Sequence, residues 1–108
     1  MLISSSDQLP GYRISEVLGL VKGSTVRTRH VGHDVMAQLK NIVGGEVMEY
    51  TKMMAESREQ ALDRMRDEAE KLGADAIICV RFVTSEIMHS ASELLAYGTA
   101  VRIDKQDG

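Results

Sequence analysis

A lone thiol, two histidines three positions apart and two alternating arginines are the groups in this 108-residue chain best suited to chemistry. Cys79 is the only cysteine. Its thiolate is a soft ligand for zinc, copper(I) or another soft species. A structural zinc site takes four ligands, so this thiol would need donors from elsewhere in the chain or from further copies. Against that stands a plain structural role. Ile78 and Val80 flank it, and a free cysteine usually behaves as a small buried hydrophobe. His30-Val31-Gly32-His33, followed by Asp34, offers two imidazoles and a carboxylate at a strand-to-helix junction. Neutral imidazoles suit zinc, copper or nickel, but the motif is short, and two exposed loop histidines would look the same. His89 beside Met88 is a third imidazole, and no spacing places it near the others.

Arg27 and Arg29 lie in a run, Ser24 to His33, that contains no acid. Residues i and i+2 of a strand share a face, so both guanidiniums could clamp one anion. A solvated edge, or pairing with an acidic helix, is the structural alternative. Met48, Met53, Met54 and Met65 carry thioethers that copper(I) accepts, yet their helical spacing suits core or interface filling. The chain has no P-loop, GxGxxG, HExxH or GxSxG, and a catalytic Cys79–His pair would need an exposed, low-pKa thiol. The sequence therefore predicts a binding or structural protein, not an enzyme.

The elements that must position these groups follow from composition and periodicity. The chain weighs 11.9 kDa, enough for one domain spanning 1–108. Hydrophobic residues make up 44% and charged residues 27%, the balance of a globular protein, but aromatics only 4%. The core must be aliphatic and rich in methionine. Net charge is −3, with residues 1–45 at +2 and residues 46–108 at −5. A whole-domain nucleic-acid binder would be basic, so no nucleic-acid partner is expected. MLISSSDQLPGY has no basic n-region, and no stretch approaches the ~20 apolar residues of a membrane span. No membrane partner is expected, and the cytoplasm is the default compartment.

Met1–Ser5 reads as a short edge strand, Gln8–Gly11 as a turn, and Tyr12 onward as a strand with Gly19 as a bulge. Lys22-Gly23-Ser24 reads as a turn before a second strand over Thr25–Arg29. Val35, Leu39, Ile42 and Val43 predict a short helix over 34–43. A long helix follows from Glu46 to Leu72, with Val47, Tyr50, Met54, Ala61, Met65, Ala69 and Leu72 as its apolar stripe and one gap around Arg58. Asp67–Lys71 and Arg66–Glu70 are favourable i,i+4 pairs on its other face. At 1.5 Å per residue it is about 40 Å long, against ~25 Å for a compact globule of this size. It must project beyond its own sheet or pack on a neighbouring copy. Gly73 reads as its left-handed cap. Ala76–Val83 reads as a central strand covered on both faces, Thr84–Ser92 as a polar connection and Glu93–Ile103 as the last strand. On that strand Leu94, Ala96, Gly98, Ala100 and Arg102 form a mostly small face for the long helix.

Three segments in order resemble the YbjQ-like family of small bacterial and archaeal domains. They are Leu39-Lys40-Asn41-Ile42-Val43-Gly44-Gly45, Gly73-Ala74-Asp75-Ala76-Ile77-Ile78 and Ala96-Tyr97-Gly98-Thr99-Ala100-Val101, with Tyr50 and Arg58 also in pattern. The resemblance covers nearly the whole chain. It implies an α+β subunit with an antiparallel sheet against a short and a long helix, in a dodecin-like arrangement, and a homopentameric ring. It also implies binding of heavy metal, without a settled activity. Cys79 stands where many members of that family have glycine or another small residue. The candidate metal residues are thus Cys79, His30 and His33, and the candidate anion residues Arg27 and Arg29. A soft or transition metal ion is the cofactor class, and the chain itself the expected partner. A purely structural oligomerisation module and an anion or metabolite binder are the rival readings.

Overall fold

Small residues decide how this chain packs. A computed structural model describes residues 1–28, 45–89 and 91–106. In chain order these form strand β1 (Leu2–Ile3), strand β2 (Tyr12–Thr28), helix α1 (Gly45–Lys71), strand β3 (Ala76–Met88) and strand β4 (Ala91–Lys105). The strands make one four-stranded sheet in the order β1-β3-β4-β2. β4 pairs antiparallel with both β2 and β3, but β1 pairs parallel with β3, through Leu2–Ala76 and Ile3–Ile77. The sheet is therefore mixed, not antiparallel throughout. The two-residue β1 is what changes its class. The short helix expected over 34–43 lies outside the described residues.

α1 lies over β2 and β4 and barely reaches β3. Ala61, Met65 and Ala69 from the helix are fully buried with Val21, Ile77, Leu94, Ala96 and Ala100 from the sheet. The small face of β4 thus receives the helix, as its sequence predicts. Burying Met65 alone contributes on the order of 2 kcal/mol. The helix closes as a Schellman motif: the Ala74 N–H donates to the Ala69 carbonyl and the Gly73 N–H to Glu70, with Gly73 at φ 77°. On its exposed side Arg66 pairs with Asp63 at 3.0 Å, one turn back, not with Glu70.

The turn expected at Lys22-Gly23-Ser24 does not form. β2 runs straight through it, in unbroken register with β4 from Gly19 opposite Ala100 to Thr28 opposite Ala91. Gly23 is there for space. A Cβ on it would collide with the Ala61 carbonyl oxygen and the Met65 amide nitrogen, and would lie 2.8 Å from Arg64 Cβ. The helix backbone rests directly on the strand at this residue. The bulge at Gly19 does form, at a register shift from Val17, with φ 130°.

Thr84–Ser92 is likewise mostly strand. β3 continues to Met88, and β4 begins at Ala91, paired with it. The polar residues there are exposed, with no helix among the described residues covering them, and exposure does not stop a strand from pairing with β4. Together β2, β3 and β4 build a long arm. The chain measures 60 × 27 × 18 Å, and its radius of gyration is 17.8 Å against about 13 Å for a compact chain of this length. No helix among the described residues is long and apolar enough to cross a membrane.

Gly23→Ala should lower stability by about 3 kcal/mol, the upper range for overpacking, because rigid backbone and not a flexible side chain blocks the methyl. For a domain of this size that is a fall in Tm of roughly 15 °C. A thermal melt following helix ellipticity checks it.

Candidate functional site

Cys79 sits at a kink in β3. Its φ is 57°, and it is the only described residue other than glycine with positive φ. The register of β3 on β4 slips between Ile78 and Arg81, which makes this a β-bulge. The bulge reverses the strand's phase. Ala76 and Ile78 belong to the cluster on the sheet face away from the helix, whereas Val80 joins Ile77 on the helix side. A single alternation from Ala76 to Phe82, as the sequence suggests, therefore breaks in the middle. Coverage on both faces holds for Ala76, Ile77 and Ile78, all buried.

Cys79 is half-buried and packs against the cluster of Ala76, Ile78 and Val101, as do Leu9, Ile14 and Ile103. Leu9 and Ile14 also line an open cleft of about 340 Å³, with Gln8, Pro10, Tyr12 and Gln106. The Cys79 N–H donates to the Ser6 carbonyl at 3.1 Å, and the next N–H, of Val80, to the Ser4 carbonyl at 3.0 Å. Segment 4–9 thus holds the bulge in place. His89 is exposed just past the end of β3, ten residues from Cys79 and so about 30 Å away along the strand. The two cannot meet within one chain. His30, His33 and Arg29 lie outside the described residues. Among the described residues, no three His, Cys, Asp or Glu side chains gather where a metal could sit.

Arg27 points to the helix. Its Nε donates to Ser57 Oγ at 2.6 Å and its Nη2 to Gln60 Oε1 at 2.8 Å. Ser57 is fully buried and donates to the Met53 carbonyl at 2.9 Å, while Thr25 Oγ1 donates to the Ser57 carbonyl at 3.3 Å. Arg27 is thus committed to a polar seam between β2 and α1, where its described partners are the neutral Ser57 and Gln60. Sequence reasoning missed Ser57. The signal was present: Ser57 fills the gap in the apolar stripe, three residues after Met54 and four before Ala61. A small hydroxyl in a core position implies a polar partner across the interface.

The backbone at Cys79 sets the next expectation. An L-residue in the left-handed region costs roughly 1–2 kcal/mol, which glycine avoids. Cys79→Gly should stay within about 1 kcal/mol of the wild type, as relief of strain offsets lost packing and a more flexible unfolded chain. Cys79→Val should cost about 2 kcal/mol or more, because a β-branched residue fits that φ worst. Urea midpoints of the two variants test the pair.

Comparison with known proteins agrees with this architecture. Residues 1–104 match a family model described as "putative heavy-metal-binding", the YbjQ-like family. A UPF0145 protein of Thermosipho melanesiensis is 52% identical over 107 residues, covering 99% of each chain. One from Archaeoglobus fulgidus is 55% identical over 103 residues, 95% of each chain. A crystal structure of a Pediococcus pentosaceus protein of unknown function, from the DUF74 family, superposes with a TM-score of 0.65. It covers 96% of this chain and 98% of that one at 19% identity, a likeness of fold. The chain belongs to the YbjQ-like family, a family of unknown function that carries a heavy-metal-binding label.

Proposed function

We propose that this chain is a small, non-enzymatic binding protein that assembles with its own copies and holds a heavy metal or another soft species. The assembly in this reading is a homopentameric ring of dodecin-like subunits in the cytoplasm, without nucleic-acid or membrane partners. The observation that carries it is the half-buried Cys79, standing in a left-handed bulge where glycine would be easier. A strained cysteine in place of an unstrained glycine is what selection for the sulfur would leave.

The described donors of one chain fall short of a metal site on their own. The missing ligands in this reading come from His30 and His33 or from a neighbouring copy, and the thiolate supplies the soft anchor. The anion reading draws less support, since Arg27 already donates to Ser57 and Gln60. The structural-module reading has its own support in the apolar residues left exposed on the arm, among them Leu20, Val26 and Ile87.

Native mass spectrometry separates the readings. Untagged protein purified without chelator, then titrated with Zn²⁺ or Cu⁺, should run as a pentamer of about 60 kDa, a closed ring having a fixed copy number. It should carry added metal mass. Cys79→Ser should keep the pentamer and bind metal at least about 100-fold more weakly, more than a lost outer-shell partner costs. Metal-free oligomers in both proteins would favour the structural module and end the soft-ligand reading.

A further inference from the structure

We propose that the cleft lined by Gln8, Tyr12 and Gln106 binds a neutral, planar heterocycle with an adenine-type edge, as a free nucleoside or mononucleotide. The site goes beyond the metal reading and is separate from it, since its lining includes neither Cys79 nor a histidine. It lies at the root of the sheet, where β2 begins and β4 ends. Its volume of about 340 Å³ is at the lower end of the range for small-molecule sites, room for one small ligand.

Main-chain bonds fix the frame of the cleft. The Tyr12 N–H donates to the Leu9 carbonyl at 2.9 Å and closes Leu9-Pro10-Gly11-Tyr12 as a β-turn. Proline at its second position and Gly11 at φ 88° at its third make it type II. The Gln106 N–H donates to the Gly11 carbonyl at 2.9 Å, which ties the end of β4 to the same turn. Just before the turn, the Ser6 hydroxyl donates to the Gln8 carbonyl at 2.6 Å. A backbone held this way has little freedom left to lose on binding. Leu9 and Ile14 supply the apolar part of the lining, half-buried against Ala76, Ile78 and Val101.

The polar part is uncharged and free. Among the described residues, no group hydrogen-bonds the carboxamides of Gln8 and Gln106 or the Tyr12 hydroxyl. Arg13 alternates to the other face of β2 and is already paired with Asp104 at 2.8 Å. A lining without charge selects a neutral group, because an ion would shed water there for nothing in return.

The chemistry of the carboxamides narrows the class. Each carries a donor beside an acceptor, so its best partner carries an acceptor beside a donor. Amides, lactams and amidines all do. Tyr12, 38% exposed, selects a flat one, because a ring can stack on it. Adenine has the matching pattern on two edges, N6 with N1 and N6 with N7, and glutamine pairs with the second of these bidentately. Two carboxamides can therefore read both edges through the one amino group. Lys105 stands opposite Tyr12 in the register of β2 on β4, outside the lining, where a 5′-phosphate beyond the base would meet it.

Saturation-transfer NMR on the full-length protein, with adenosine as the probe, tests the proposal. Adenosine should give a saturable signal with a Kd on the order of 0.1–1 mM, weak because the cleft is open. Purine riboside, which lacks only the amino group, should bind about tenfold more weakly, the cost of lost neutral hydrogen bonds. Tyr12→Leu should lose about tenfold through stacking. Gln106→Met, similar in length but unable to pair, should lose about fivefold. AMP separates the two sources: tighter binding than adenosine assigns the site to a nucleotide, and binding no tighter assigns it to a nucleoside. No saturable signal by about 10 mM adenosine would overturn the proposal. So would equal affinity for adenosine and purine riboside, a comparison made on the wild type that stands whether or not the variants fold. Binding confined to dissociated subunits would mean that a neighbouring copy fills the cleft, and would end the proposal as well.

Discussion

The close approach of helix backbone to strand backbone at Gly23 is the constraint on which the rest of this structure depends. With no Cβ there, α1 settles onto β2 and leans toward β4, where Ala96 and Ala100 leave matching room. A core this thin cannot be filled by large rings, and the chain has few of them. Among the described residues it is filled instead by alanine, valine, isoleucine, Leu94 and the fully buried Met65. Tight packing of small groups makes up in dispersion contacts what it lacks in buried area per residue. The polar seam of Arg27, Ser57 and Gln60 lies along the same strand–helix contact.

Placing the helix over β2 and β4 has a cost on the other side of the sheet. Among the described residues, β3 receives cover only near its start, from β1 and the segment that follows it. The bulge at Cys79 marks the boundary. Before it, Ala76, Ile77 and Ile78 are buried on both faces; beyond Val80, the rest of β3 is exposed. One residue at positive φ thus divides β3 into a covered root and a bare arm, and places the only sulfur nucleophile of the chain at the division.

How much of this was legible beforehand varied with the kind of signal. The long helix, its cap at Gly73, the bulge at Gly19 and the small face of β4 each rest on local rules. A 3.6-residue stripe, a left-handed cap and alternating side-chain size act within a few residues of themselves. Gly23 misled because glycine serves two purposes, turning a chain and letting another chain come close, and only the second applies here. Thr84 to Ser92 reads as a loop by its polarity, whereas that polarity goes with a strand left exposed among the described residues. Ser57 went unnoticed because a single hydroxyl breaks a hydrophobic stripe without announcing its partner, which lies thirty residues away in sequence. Of the candidate ligands, Cys79 was identifiable by type, but its strained backbone was not.

The sequence by itself therefore determined the local elements of this protein: the α+β class, a long amphipathic helix, an aliphatic core and family membership read from three short segments. Only the tertiary structure decided which glycine was a turn and which a contact, that the sheet was mixed, that β3 changed phase at Cys79, and which strand edges stayed open. The reason is physical. Periodicity and capping are set by neighbours along the chain, whereas close approach, register and edge exposure are set by residues brought together from distant parts of it.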